Sequence, residues 1–114
     1  MSDCLFCKIV EGSVPSKKVA ETKHVLAFRD IHPQAPTHVV LVPKPHVTAS
    51  AAELRAEHGP ILAELFELTA QVAKSEHLDR GWRVVTNVGP DAGQSVHHLH
   101  FHLLGGRPMK WPPG

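Results

Sequence analysis

The sequence predicts an α+β domain with about five antiparallel strands, one long helix and a short N-terminal helix. Three observations carry that prediction. Several short runs are β-branched or alternate apolar with polar residues. One stretch, from about 60 to 77, places apolar residues three and four apart. The connections are mostly short, which favours antiparallel pairing, and strands before and after a single helix give α+β layering. At 114 residues the chain has the size of one domain, residues 1–114.

The elements follow in order. Cys4 to Val10 has apolar residues at 5, 6, 9 and 10, a short helical pattern ended by Gly12 and Pro15. Lys18 to Ala20 and Val25 to Phe28 are short strands. Asp30 to Pro36 is a loop stiffened by Pro33 and Pro36. His38-Val39-Val40-Leu41-Val42 is a buried strand closed by Pro43 and Pro45. Thr48 or Ser50 caps a short helix running through Arg55. Pro60 opens the long helix, and Ile61, Leu62, Leu65, Leu68, Thr69 and Val72 form its apolar stripe. Gly81 ends it. Trp82 to Val88 is a strand, and 89–93 form a tight loop. The last strand is His98-Leu99-His100-Phe101-His102-Leu103-Leu104, ended by Gly105-Gly106. A Pro-rich tail holds Trp111.

The last strand is chemically unusual. Successive strand side chains point to opposite faces, so His98, His100 and His102 share one face and Leu99, Phe101 and Leu103 the other. The long helix is expected to cover the leucine face and leave the histidine face open. Folding alone does not call for three imidazoles in a row. Imidazole titrates nearest neutral pH and serves as nucleophile, base, acid or metal ligand. Side chains at i and i+2 lie about 6.7 Å apart along a strand, and i to i+4 about 13 Å. Three such rings do not meet at one metal without a sharp bend, which disfavours a zinc hydrolase built on them. A row of imidazoles suits a tetrahedral phosphate, with His100 attacking and its neighbours donating hydrogen bonds. His102, Ser95 and the backbone amides of Gly93-Gln94-Ser95 are candidate donors.

Composition excludes other classes. Twelve Lys and Arg balance eleven Asp and Glu, and no basic block marks a nucleic-acid surface. No apolar run is long enough to span a bilayer. The start, Met1-Ser2-Asp3-Cys4, lacks a signal-peptide pattern, so a cytoplasmic chain with reduced cysteines is expected. Cys4-x-x-Cys7 then points to a metal or redox pair. His24, His32, His58 and His77 lie in polar stretches and are expected to be ordinary surface residues.

Residues 98–104 match in full the His-φ-His-φ-His-φ-φ motif of the histidine triad family, φ being apolar. Gly93-Gln94-Ser95-Val96, Phe28-Arg29-Asp30-Ile31, Pro33 to His38 and Trp111-Pro112-Pro113-Gly114 resemble its nucleotide-binding Hint branch. The likeness covers nearly the whole chain. It implies a half-barrel α+β fold and a two-fold homodimer through the long helix, the Trp82–Val88 strand and the C-terminal tail. It also implies hydrolysis of purine nucleoside phosphoramidates through a nucleotidyl-histidine. By resemblance, His100 is the nucleophile, and His102 contacts the phosphate and assists the leaving amine. His98 and His38 support the site. Asp30 binds the ribose hydroxyls, and Asn87 and Ser95 lie near the phosphate and leaving group. Phe6, Phe28 and Ile31, with Leu5 and Ile9, form the slot for the base.

Some relatives pair such cysteines with two histidines around zinc. Here His46 and His98 are the further ligands suggested, with His97 an alternative to His98. Zinc bound this way is structural, and catalysis needs no metal. Other readings remain: a dinucleoside polyphosphate hydrolase or nucleotidyl transferase, and a nucleotide-binding interaction module with vestigial activity. An intact triad argues against the last.

Overall fold

The computed structural model describes residues 3–114. Five strands form one open antiparallel sheet: β1 (Lys18–Glu21), β2 (Val25–Arg29), β3 (Thr37–Pro43), β4 (Trp82–Val85) and β5 (Phe101–Gly105). Their order is β1-β2-β3-β5-β4, so the last strand inserts between β3 and β4. Two helices, α1 (Leu5–Glu11) and α2 (Gly59–Ser75), complete the fold.

The helix of 17 residues packs one face of the sheet. Leu65, Leu68, Val72 and Ala73 join Val39, Leu41, Leu99, Phe101 and Leu103 in a core cluster. Leu41, Leu65, Leu99 and Leu103 are all fully buried, each contributing about 1.5–3 kcal/mol. The apolar stripe and the Leu99-Phe101-Leu103 face therefore meet as expected. Beyond the end of α2, Glu76 accepts both arms of the Arg29 guanidinium at 2.6 and 2.9 Å, tying the helix to β2. That fork holds the Glu76 carboxyl below its ordinary value.

The opposite face is covered at one end by α1. Cys4 caps this helix, its Sγ accepting from Cys7 N–H, and Gly12 closes it in the left-handed conformation at φ 87°. Phe6 packs with Leu26, Phe28, Val40 and Val42. The histidine face is thus not left open: His98 is fully buried and His100 nearly so. A seven-residue helix could be seen in the sequence, but the sheet face it lands on is a tertiary fact.

Several boundaries differ from expectation. β5 begins at Phe101, because Leu99 N–H donates to the carbonyl of Thr48, in a loop, at 3.0 Å. β4 stops at Val85, where the Thr86 hydroxyl turns to bond the His100 carbonyl instead of continuing the ladder. The long helix ends at Ser75, and His77 takes a left-handed φ of 59°. In place of one short helix through Arg55 there are two single 3-10 turns, 51–53 and 56–58, the first capped by Ser50.

Candidate active site and metal centre

Neighbouring central strands supply the core of the site. His38 on β3 pairs in register with Leu104, and Val40 with His102 on β5. This diagonal brings His38 Nε2 to 2.8 Å from His102 Nδ1. His100 and His102 have ring centroids 5.1 Å apart.

Backbone groups fix the proton on each ring. His100 Nδ1–H donates to the His98 carbonyl at 2.7 Å. A neutral imidazole carries one N–H, so its Nε2 keeps a lone pair. Thr86 bonds the carbonyl of His100, and Phe6 stands edge-on to the ring at 4.8 Å. Gln34 N–H donates to His38 Nδ1 at 3.0 Å. His38 must then hold its proton on Nε2 and donate it to His102 Nδ1. His102 in turn carries its own proton on Nε2. The chain of donors runs one way, from Gln34 through His38 to His102.

Burial reinforces neutrality. Desolvation lowers His100 and His38 below the usual imidazole value. His102 is lowered to about 4 by burial and by the neighbouring His100 and His38 rings. Asp30 opposes these shifts. Its Oδ2 lies 3.4 Å from His38 Nε2 and 3.8 Å from His102 Nδ1, while Oδ1 accepts from His32 N–H at 2.8 Å. Asp30, His38 and His102 are close enough together to suggest a metal. The Gln34 N–H argues against one, because a ligating His38 Nε2 would need its proton moved to Nδ1, against that donor.

A cavity of about 620 Å³ opens beside these groups, lined by residues including Lys17, Asp30, Ile31, Pro33 and His38. Ile31 is 86% exposed, whereas Phe6 and Phe28 are buried edge-to-face at 5.6 Å, with Ile9 packed beside them. Leu5 and Ser95 line a second cavity of about 420 Å³, with Cys4, His46 and His97. The residues expected to form one slot are therefore divided between two openings and the core. Gly93 N–H and Gln94 N–H are engaged within their own loop, and the Gln94 amide ties that loop to Gly89, Ala49 and Val96. This leaves Ser95, exposed, as the turn's candidate donor. Asn87 is half-buried just past β4.

Cys4, Cys7, His46 and His98 converge, their Sγ and Nδ1 atoms within 4.8 Å of one another. His98 Nδ1 lies 3.2 and 3.5 Å from the two sulfurs, and His46 Nδ1 3.4 Å from Cys7 Sγ. Zinc–sulfur and zinc–nitrogen bonds at tetrahedral angles place S and N about 3.5 Å apart. His98 donates Nε2–H to the Pro43 carbonyl at 2.8 Å, which aims its Nδ1 lone pair at the cysteines. The donor set therefore fits zinc. His97 is exposed and lies outside the cluster.

Sequence reasoning missed Thr86, Arg107 and the Gln34 amide. Arg107 Nε and Nη2 both donate to the Gln34 carbonyl, at 3.1 and 3.0 Å. These contacts end on backbone atoms, which leave no signature in residue type. Of the expected surface histidines, His24, His32 and His77 are exposed, His24 pairing with Glu64, whereas His58 is half-buried and accepts from Arg55 N–H.

Comparison with known proteins agrees with this architecture. The HIT domain pattern matches residues 11–109. The chain is 49% identical over 114 residues to the 14 kDa zinc-binding protein of Zea mays, covering 99% of this chain and 89% of that one. It is 48% identical over 116 residues to adenylylsulfatase HINT1 of Arabidopsis thaliana, covering 99% and 78%. A HIT family hydrolase from Legionella pneumophila superposes with a TM-score of 0.94 at 46% identity, over 98% of this chain and all of that one. With His38, His100 and His102 gathered at neighbouring strands and its five-stranded sheet shared with such structures, the chain belongs to the HIT domain family.

Proposed function

We propose that the protein hydrolyses purine nucleoside phosphoramidates through a covalent intermediate on His100. One observation carries this reading: the His98 carbonyl holds the His100 proton on Nδ1, so a neutral Nε2 lone pair is ready to attack. Attack at phosphorus forms an N–P bond as the bond to the amine breaks. The departing nitrogen takes one proton from solvent, which the hydrolytic water returns in the second step, and His102, donating from Nε2, steadies a phosphate oxygen. Water then displaces His100 from phosphorus, releasing the nucleoside monophosphate and restoring the ring. Asp30 accepts from the ribose hydroxyls, and Ser95 and Asn87 contact the phosphate side. Ile31, exposed beside Asp30 in the larger cavity, faces the base. Zinc, when bound by Cys4, Cys7, His46 and His98, holds these residues in place and takes no part in the reaction.

The same attack serves a substrate whose leaving group is sulfate, as the name of the Arabidopsis relative suggests. A homodimer through α2, the β4 edge and the tail is also inferred. Its support is the open edge of β4, the half-exposed Trp82 and Phe66, and Arg83, which donates to the Lys110 carbonyl. A cytoplasmic setting is also inferred; among the described residues no helix is long and apolar enough to cross a membrane.

The test is AMP release from adenosine 5′-phosphoramidate by the wild type and by His100→Ala, each with and without a chelator. Turnover by the wild type alone, unaffected by chelator while the protein stays folded, is expected. Turnover by His100→Ala refutes the nucleophile. AMP binding without turnover in the wild type favours another nucleotide substrate or a binding module.

A further inference from the structure

We infer that Arg107 is a positioning residue for the reaction, acting through Gln34 to set the direction of the His38–His102 hydrogen-bond chain. This rests on the proposed function, in which His102 donates to the phosphate.

Gln34 is held from both sides. Its carbonyl accepts two donors from Arg107, Nε at 3.1 Å and Nη2 at 3.0 Å. Its N–H points the other way, to His38 Nδ1 at 3.0 Å. Its side-chain amide donates to the His32 carbonyl, and His32 N–H donates to Asp30. The loop between β2 and β3 is exposed over residues 31–34, so few buried contacts hold it. The guanidinium converges two charge-assisted donors on that one carbonyl oxygen. Arg107 itself is steadied by Nη1 donating to the Pro108 carbonyl. Gly106, at φ 92°, turns the chain beside Pro36 immediately before Arg107.

Direction matters because imidazole has two nitrogens. With Gln34 N–H on Nδ1, His38 donates from Nε2 and His102 is left with a donor facing the substrate. If the Gln34 peptide rotates away, His38 is free to place its proton on Nδ1. Its Nε2 then accepts from His102 Nδ1–H, and His102 presents a lone pair from Nε2. A lone pair repels an anionic phosphate oxygen where a donor binds it. The bases and acids present are unchanged; only the polarity of the chain reverses.

The experiment pairs kinetics with ring-nitrogen NMR at fixed pH on the intact chain. The variants are Arg107→Ala, Arg107→Lys and Gln34→Pro, the last deleting the N–H itself. Nitrogen-15 shifts of His38 report which nitrogen carries the proton. Expected is Nε2–H in the wild type and a mixed population in Arg107→Ala and Gln34→Pro. On the phosphoramidate, kcat is expected to fall about tenfold with KM within twofold, and Arg107→Lys to lie between. An Arg107→Ala protein that melts earlier but keeps the wild-type His38 shifts and kcat overturns the proposal, since its role is then only structural. So does an unchanged His38 in Gln34→Pro. If the wild type does not turn over the phosphoramidate, the proposed function fails, and the nitrogen shifts still decide whether Arg107 sets the tautomer.

Discussion

His102 and His38 are buried rings that the fold keeps neutral, and this has a pH consequence. An unfolded histidine takes up a proton near pH 6.5, whereas folded His102 does so only at about 4. His38 is shifted the same way by burial. As pH falls through 6.5 the unfolded chain binds more protons than the folded one, so the stability fully present above about 7 is lost toward 4. Urea midpoints between pH 7.5 and 4.5 should fall steadily, with about 1–3 kcal/mol lost to these rings. A shallower fall is expected in His102→Gln, and an identical profile would contradict the assignment. Much of this site was visible in the sequence, because alternation alone puts His98, His100 and His102 on one side. That His38 joins them was suggested only by family resemblance. What determines their protons was hidden, because the Gln34 N–H and the His98 carbonyl are backbone groups.

Elements differ in how strongly they are held. α2 rests on a broad apolar face and was legible from its spacing. β3 was legible from its β-branched run. The start of β5 was not, since the partner of Leu99 is Thr48, set by tertiary contact. α1 has seven residues, too few to persist alone in water. It is held by Phe6 in the core and by Cys4 and Cys7 at its first turn. Stripping metal from the cysteines should therefore raise amide exchange in α1 while leaving α2 unchanged, measured by mass spectrometry. Equal exchange with and without chelator would remove zinc as its anchor. The turn after β5 is a second sensitive point. A methyl at Gly106 would sit 2.9 Å from Pro36 Cβ, on a backbone at φ 92°. Gly106→Ala should cost about 1–3 kcal/mol, read from thermal or urea unfolding.

At the scale of the whole molecule, the sheet has two edges, and β4 carries the larger apolar display. Trp82 is 43% exposed there, and Phe66 on α2 is comparably exposed. Sedimentation of the wild type should give about twice the 12.5 kDa chain mass. Trp82→Glu should shift it toward the single chain, and an unshifted dimer would place the contact elsewhere. The fold class itself followed from strand and helix periods, but the insertion of β5 between β3 and β4 did not, because local pattern carries no information on strand order. That insertion also carries the candidate metal ligands from opposite ends of the chain into one place: Cys4 and His98 are 94 positions apart. A metal joining them would turn most of the polypeptide into a closed ring. A covalent tie around a loop of that size removes about 4–5 kcal/mol of chain entropy from the unfolded state. A metal tie does so only while it holds, so the chain's lifetime would follow the free zinc around it.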